Sequence, residues 1–264
     1  MKIKWIVGGL LWASSYLQAA AQEYKLWYDE PAQVWTEALP LGNGRLGAMV
    51  FGNPGVEHIQ LNEETIWAGR PNNNANPNAL EYIPKVRQLV FEGKYLEAQT
   101  LATEKIMAKT NSGMPYQSFG DLHISFPGHT RYSDYYRELS LDSARTIVRY
   151  KVDGVTYQRE TLTSFADQVV MVRLTASQPG KITCNANLTT PHQDVMVSTE
   201  GEEVTLSGVS SWHEGLKGKV EFQGRMTARS QGGTQACRDG VLSIEGADEA
   251  VIYISIATNF TNYK

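Results

Sequence analysis

The sequence of 264 residues has no excess of positive charge and no long apolar run beyond its N-terminal segment. Lysine and arginine together number 24 against 28 aspartates and glutamates, which gives a formal net charge of -4. A nucleic-acid-binding domain carries clustered positive charge, so this balance argues against nucleic acid as a partner. The G-x-S-x-G, H-E-x-x-H and Walker patterns are also absent from the sequence, which removes three common kinds of catalytic or phosphate-binding site.

The N-terminal segment has the three parts of a secretory signal peptide. Two lysines precede the apolar run "WIVGGLLWASSYL", and small residues follow at Ala19 and Ala21. This order predicts a bacterial-type signal peptide over residues 1–21, cleaved after Ala21, and an exported protein that is periplasmic or secreted. No later apolar run is long enough to cross a membrane, so we expect no membrane partner.

Cysteine is scarce, and the two cysteines leave two alternatives open. Cys184 and Cys237 both fall in segments that look like strands. Export permits a disulfide between them, and two buried free thiols fit the sequence about equally well. Neither cysteine has a histidine at zinc-ligand spacing, and the five histidines are scattered along the chain, so we predict no metal site and no cofactor.

Alternating apolar and polar residues dominate the pattern of the remaining chain. Short runs of this kind, separated by Gly, Asn, Asp or Pro, extend from residue 24 to about 67 and again from about 120 onward. So many short strands predict a large antiparallel β-sandwich. Apolar residues also recur at helical spacing on both sides of Gly93, which predicts a short αα-hairpin around residues 79–108, packed on a sheet. The predicted fold is mainly β, with this helical insertion.

The stretch "GNGRLG" at residues 42–47 matches the G-x-G-x-x-G pattern of dinucleotide-binding loops. Glu63 and Glu64 follow roughly 20 residues later, where such a loop has its ribose-binding acid. That function needs a buried parallel strand before the glycines and a long helix after them. Here a proline precedes the motif, and a short apolar run followed by further turn residues comes after it. We therefore predict a β-hairpin whose turn is Asn43-Gly44, a dipeptide typical of type I′ turns.

Longer motifs carry a resemblance to a known family. "ALPLGNGRLGAMVFG", "LNEETIWAGRPNN", "YQSFGDLHISF", "YYRELSLDSA" and "YQRETLTSFADQVV" occur in this order. Together they resemble the N-terminal region of family-95 glycoside hydrolases, which are α-L-fucosidases, some acting on related α-L-galactosides. The resemblance implies a supersandwich-like β-domain over residues 22–264. In that family a linker and a catalytic α/α barrel follow, and the catalytic acid and base belong to the barrel. That barrel is absent from this sequence, so we assign no catalytic residue.

The resemblance also implies what the domain does. We expect it to pack on and support the catalytic barrel, to be inactive alone, and to meet a fucosylated or related oligosaccharide through the full-length enzyme. Two alternatives remain open. The chain is a stand-alone carbohydrate-binding module with exposed tryptophan or tyrosine, or it hydrolyses glycosides by itself.

Polar residues beside tryptophans are the candidates for contact with a sugar or with the barrel. In "LNEETIW", Asn62, Glu63 and Trp67 combine hydrogen-bonding groups with an aromatic face. Asp121 in "FGDLHISF" and Trp212 in "SSWHEGLKG" are the other candidates.

Hydrolysis by these residues alone would need two carboxylates on either side of a sugar. Glu63 and Glu64 are adjacent, and neighbouring residues of a strand point to opposite faces. Asp121 could approach Glu63 in space. The structural alternative is that Asn62, Glu63 and Glu64 cap the turn before Trp67.

Overall fold

The structure, a computed structural model, describes residues 23–108 and 113–262. The predicted signal peptide, residues 1–21, lies outside the described residues. Among the residues that are described, no helix is both long enough and apolar enough to span a membrane.

The described ranges form sixteen strands, two α-helices and a 3-10 turn. The helices are α1 (Ala79–Phe91) and α2 (Tyr95–Lys105), and the 3-10 turn is Trp35–Glu37. The strands are β1 (Lys25–Tyr28), β2 (Leu39–Gly42), β3 (Leu46–Val50), β4 (Val56–Glu63), β5 (Gly120–Ser125), β6 (Ser133–Ser140), β7 (Arg145–Val152), β8 (Val155–Ser164), β9 (Val169–Ala176), β10 (Ile182–Thr189), β11 (Val195–Glu200), β12 (Glu203–Val209), β13 (Glu221–Gln231), β14 (Thr234–Arg238), β15 (Val241–Ala247) and β16 (Glu249–Thr258).

The strands form two antiparallel sheets. The nine-stranded sheet has the order β1-β6-β7-β8-β9-β16-β13-β12-β11, and the seven-stranded sheet has the order β14-β15-β10-β5-β4-β3-β2. Side chains alternate between buried and more exposed along most strands, so each sheet has an inner and an outer face. The inner faces of both sheets contribute to one hydrophobic core. The predicted mainly-β antiparallel sandwich is confirmed.

An ion pair is buried inside this core. Nη2 of Arg159 lies 3.3 Å from Oε2 of Glu57, and the two side chains are 3% and 2% exposed. Glu57 also accepts a hydrogen bond from the N–H of Gly52 at 2.7 Å, and Arg159 donates to the carbonyl of Asn53 at 2.9 Å. The pair therefore connects β8 to β4 across the sandwich and also holds the turn between β3 and β4.

The αα-hairpin lies where the sequence predicts it, but it packs less on the sheets than expected. Helices α1 and α2 meet at Gly93, whose φ is 74°, and they contact chiefly each other. Leu89 and Ala98 are their buried residues. Several larger apolar side chains point to solvent instead and are 78–82% exposed: Leu80, Phe91 and Leu96.

The "GNGRLG" stretch forms the predicted hairpin between β2 and β3. Within its turn only Gly44 has a positive φ, 92°, so the type I′ conformation, which needs two such residues, does not occur. Asn43 holds the turn through its side chain instead. Its Oδ1 accepts hydrogen bonds from the N–H groups of Arg45 at 3.0 Å and Leu46 at 2.7 Å. Strand β3 follows where a dinucleotide-binding loop would need a helix.

Both cysteines are free thiols. Cys184 lies in β10 and Cys237 in β14, and β15 lies between these two strands. Two strand spacings of about 4.8 Å separate their backbones by roughly 10 Å, which exceeds the ~7 Å that a disulfide can bridge. The structure thus has two free thiols, but only Cys184 is buried and Cys237 is partly exposed.

Candidate functional site

Arg45 and Glu63 connect the hairpin turn to the "LNEETIW" loop. Glu63 is buried, and its Oε1 lies 3.3 Å from Nε of Arg45. Its Oε2 accepts hydrogen bonds from the N–H of Thr65 at 2.8 Å and from the Thr65 hydroxyl at 2.6 Å. Arg45 also donates to the carbonyl of Ile256, and the hydroxyls of Thr65 and Thr258 are 2.6 Å apart. Glu63 thus shapes the turn, as in the capping alternative, and ties it to the end of β16.

Trp67 lies just beyond this network and is 46% exposed. Its Nε1 donates to the carbonyl of Glu64 at 3.0 Å, and its ring meets the edge of Tyr116 with the ring centroids 5.4 Å apart. The Tyr116 hydroxyl donates to the carbonyl of Glu63 at 3.3 Å. Burial, helped by the nearby Glu63 and Glu64 carboxylates, raises the pKa of Tyr116, so this hydroxyl stays a donor at neutral pH. Both rings are held in place while they face solvent.

The second candidate loop, which carries Trp212, lies against the first. The N–H of Gly69 donates to the carbonyl of Ser211 at 2.9 Å, and the N–H of Lys219 donates to the carbonyl of Gly69 at 3.0 Å. Trp212 itself is 62% exposed. Two segments far apart in the sequence, each with an exposed tryptophan, are therefore joined by backbone hydrogen bonds.

A cleft of about 600 Å³ opens beside these loops and the segment that follows β16. Its walls are largely apolar and include Trp67 and Phe260, while Arg70, Asn72 and Lys219 supply polar groups. A concave, mostly apolar surface with a few polar groups is typical of small-molecule sites. None of the described residues that line the cleft is a carboxylate. The arrangement can therefore bind a sugar, but it lacks the acid pair that hydrolysis needs.

Asp121 and Asn62 lie away from this cleft, on the outer face of the seven-stranded sheet. Oδ1 of Asp121 is 2.6 Å from Nε2 of His58 on the neighbouring strand. Asn62 is half-buried on the same face of β4, whereas Glu63 points to the inner face. Asp121 and Glu63 are thus on opposite sides of the sheet. The two carboxylates do not approach each other, although the sequence had allowed it.

A cluster of His58, Asp121 and His123 was missed by the sequence reasoning. His58 lies directly opposite His123 in the β4–β5 register, and their rings are stacked with centroids 5.0 Å apart. Burial and the neighbouring His58 lower the pKa of His123. The helical hairpin separates β4 from β5 along the chain, so the spacing of these residues in the sequence does not show that they lie together. Its one local sign is the alternation in "DLH", which places Asp121 and His123 on the same face.

Comparison with known proteins places the chain in a family. Residues 26–263 match the family described as "Glycosyl hydrolase family 65, N-terminal domain". The chain is 32% identical over 269 residues to "Alpha-L-fucosidase 2" of Arabidopsis thaliana, a match that covers 92% of this chain and 31% of the relative.

Two fungal relatives give similar matches. The chain is 28% identical over 252 residues to "Probable alpha-fucosidase A" of Aspergillus niger, with 89% of this chain and 30% of the relative covered. It is 28% identical over 170 residues to the protein of the same name from Aspergillus oryzae, with 61% and 23% covered. The chain thus spans less than a third of the length of these curated relatives. It belongs to the family of glycosyl hydrolase family 65 N-terminal domains.

Proposed function

We propose that residues 22–264 form the N-terminal domain of an exported α-L-fucosidase of glycoside hydrolase family 95, and that this domain packs on a catalytic α/α barrel. The order of the family-95 motifs and the α-fucosidase names of the relatives support the substrate class. The N-terminal signal-peptide pattern supports export. One observation supports separate roles for the barrel and this domain: the cleft beside Trp67 has an aromatic wall but, among its described residues, no pair of carboxylates. The barrel supplies the acid and base, and this domain supplies part of the wall.

The position of the cleft fits this arrangement. Residues 259–262 line the cleft directly after β16, so a domain that follows in the chain is attached beside it. Trp67, Trp212 and Phe260 are all well exposed, and they belong to the cleft or to the loop packed next to it. A surface that another domain covers typically carries such apolar side chains.

Within this proposal, Glu63 and Trp67 have different roles. Glu63 is buried and fully engaged with Arg45 and Thr65, so it positions the loop and does not touch the substrate. Trp67 is exposed and stacks on the apolar face of a sugar ring, and Arg70 and Asn72, which line the same cleft, bind hydroxyl groups.

The test is a Trp67→Ala change in a full-length α-fucosidase relative whose aligned loop carries this tryptophan. We expect kcat/KM on a fucosylated oligosaccharide to fall by about tenfold, the effect of losing ~1.4 kcal/mol of transition-state stabilisation. Trp35, which is similarly exposed but hydrogen-bonds to Gln60 on the outer sheet face, is the matched control. Unchanged kinetics with only a lower melting temperature would show that Trp67 is structural.

The exposed aromatic side chains also favour a second candidate, a stand-alone carbohydrate-binding module. Calorimetry of this chain with fucosylated oligosaccharides separates the two functions. Heat of binding that disappears in Trp67→Ala would favour the module, and no heat would favour the supporting domain. Release of nitrophenol from an α-L-fucoside by this chain alone, which we do not expect, would establish hydrolysis without the barrel.

A further inference from the structure

The outer face of the seven-stranded sheet carries a group of metal-ligating side chains that the proposed function does not use. His58 projects from β4, and Asp121 and His123 project from the same face of β5. Nε2 of His58 and Oδ1 of Asp121 are 2.6 Å apart. One ligand atom from each of the three residues lies within 4.8 Å of the other two.

We propose that His58, Asp121 and His123 bind one divalent transition metal ion, with zinc as the preferred ion. Two imidazoles and one carboxylate are a ligand set that zinc accepts readily, with one coordination position left for water. Imidazole nitrogen discriminates against magnesium and calcium, because these ions prefer oxygen ligands. All three ligands belong to this chain, so the site does not depend on whether the chain is part of a fucosidase.

The distances between the three side chains suit one small ion. Zinc lies about 2.0–2.2 Å from nitrogen and oxygen ligands in a tetrahedral site, so the ligand atoms are roughly 3.3–3.5 Å apart. The separation between His58 and Asp121 has to widen from 2.6 Å, and the longest separation has to shorten from 4.8 Å or less. Side-chain rotation supplies both movements, since the paired strands fix the backbone register.

The two imidazole rings also have to turn. They are stacked with an angle of 16° between their planes, and a ring nitrogen binds a metal in the plane of its own ring. The side chains of His58 and Asp121 are 32% and 25% exposed, so solvent leaves room for this rotation and for entry of the ion. Phe51 also stacks on His58, with the ring centroids 4.3 Å apart and 23° between the planes.

A bound ion would crosslink two strands that lead to the cleft. Strand β4 runs directly into the loop of Trp67, and β5 begins just after Tyr116, whose ring meets Trp67. Because a ligand that binds only the folded chain shifts the equilibrium toward it, zinc should raise the melting temperature and steady both segments.

The experiment is a zinc titration of the metal-free full chain, purified without a histidine tag, by calorimetry and by competition with a coloured chelator. We expect one equivalent to bind and the melting temperature to rise. His123→Gln and Asp121→Asn should each weaken binding by at least about tenfold. His213→Gln is the matched control. His213 lies 4.0 Å from Glu214 on a different loop and does not belong to the cluster of possible metal ligands, so this change should leave zinc binding unchanged.

Three results would overturn the proposal. They are no zinc binding by the wild-type chain, zinc affinity equal to that of the wild type in a folded His123→Gln or Asp121→Asn variant, or calcium bound as tightly as zinc. Circular dichroism of each variant shows that it is folded. The two ligand variants are independent, so either one that folds decides the outcome.

Discussion

Arg45 and Glu63 meet at 3.3 Å, and this contact unites the two motifs that stand out most in the sequence. Arg45 belongs to the "GNGRLG" turn, and Glu63 opens the loop that ends in Trp67. Because Arg45 also donates to the carbonyl of Ile256 in the other sheet, the contact fixes the turn, the loop and the last strand relative to one another. The glycine-rich motif is thus joined to the loop that borders the cleft, but it does not line the cleft.

Glu63→Ala should destabilise the domain by about 1–3 kcal/mol. The change leaves the N–H and hydroxyl of Thr65 without their acceptor and removes the buried partner of Arg45, and unsatisfied buried groups cost this much. Urea unfolding followed by fluorescence measures the difference. Glu203→Ala removes the acid of an exposed pair with Arg225 at 3.7 Å and should change stability by less than about 1 kcal/mol. Equal losses in the two variants would contradict the role assigned to Glu63.

Arg159→Met should cost about 3–5 kcal/mol, because it leaves Glu57 buried without its cation. Glu57→Gln in the same chain should recover much of this loss, since Gln keeps an oxygen for the N–H of Gly52. Burial already raises the pKa of Glu57, and Arg159 opposes that shift. Without Arg159 the raised pKa makes the folded variant most stable at acidic pH, and this stability is lost as the pH rises through the folded-state pKa. Unfolding at pH 5 and pH 8 tests the sign, and a larger loss at pH 5 would refute it.

The fold was predictable because its signals are local and repeated. Period-two alternation predicted the strands, and helical spacing on both sides of Gly93 predicted the αα-hairpin. The hairpin was also predicted, but the position and conformation of its turn were not, because the N–H of Asn43 donates to the carbonyl of Leu46. The turn therefore centres on Gly44 and Arg45, of which only Gly44 has a positive φ. The weak packing of the hairpin on the sheets could not be read from spacing, which says which residues share a face but not what covers that face.

The candidate site was only partly predictable for a related reason. Trp67 and Trp212 stood out as exposed residues in polar loops, but nothing in the sequence shows that their loops are hydrogen-bonded through Gly69. Asp121 was grouped with Glu63 because both are acids in motifs that resemble the family. The alternation of side chains along β4 and β5 places Glu63 on the inner face and Asp121 on the outer face. The His58–His123 pairing depends on β4 and β5 being neighbours across the helical insertion. Contacts of this kind are decided by strand order, which local patterns do not contain.

Both thiols should resist modification in the folded protein. Burial raises the pKa of Cys184 to about 12, and burial together with Glu202 and Glu203 raises the pKa of Cys237. Because the thiolate is the reactive form, a disulfide-exchange reagent at pH 8 should label Cys184 only on unfolding and Cys237 slowly. Labelling in urea should reach both, and an intact mass measured without reductant should correspond to two free thiols. Fast labelling of Cys184 in the native state, or the mass of a disulfide, would contradict the structure.

Glu249 and Arg173 should make stability depend on pH in the acidic range. Two parallel hydrogen bonds of 2.7 Å and 2.9 Å join them, and these bonds lower the pKa of Glu249 below its ordinary value of 4.5. Because the pKa of Glu249 is lower in the folded state than in the unfolded state, the pair stabilises the fold fully at a pH above the unfolded-state pKa. This stabilisation is lost as the pH falls through the folded-state pKa. The difference in melting temperature between the wild type and Glu249→Gln should therefore shrink as the pH falls below 4.5. Arg173→Gln should give the same pH profile, and the double variant should lose no more than either single change. A difference that stays constant with pH would show that the pair acts through packing and not through charge.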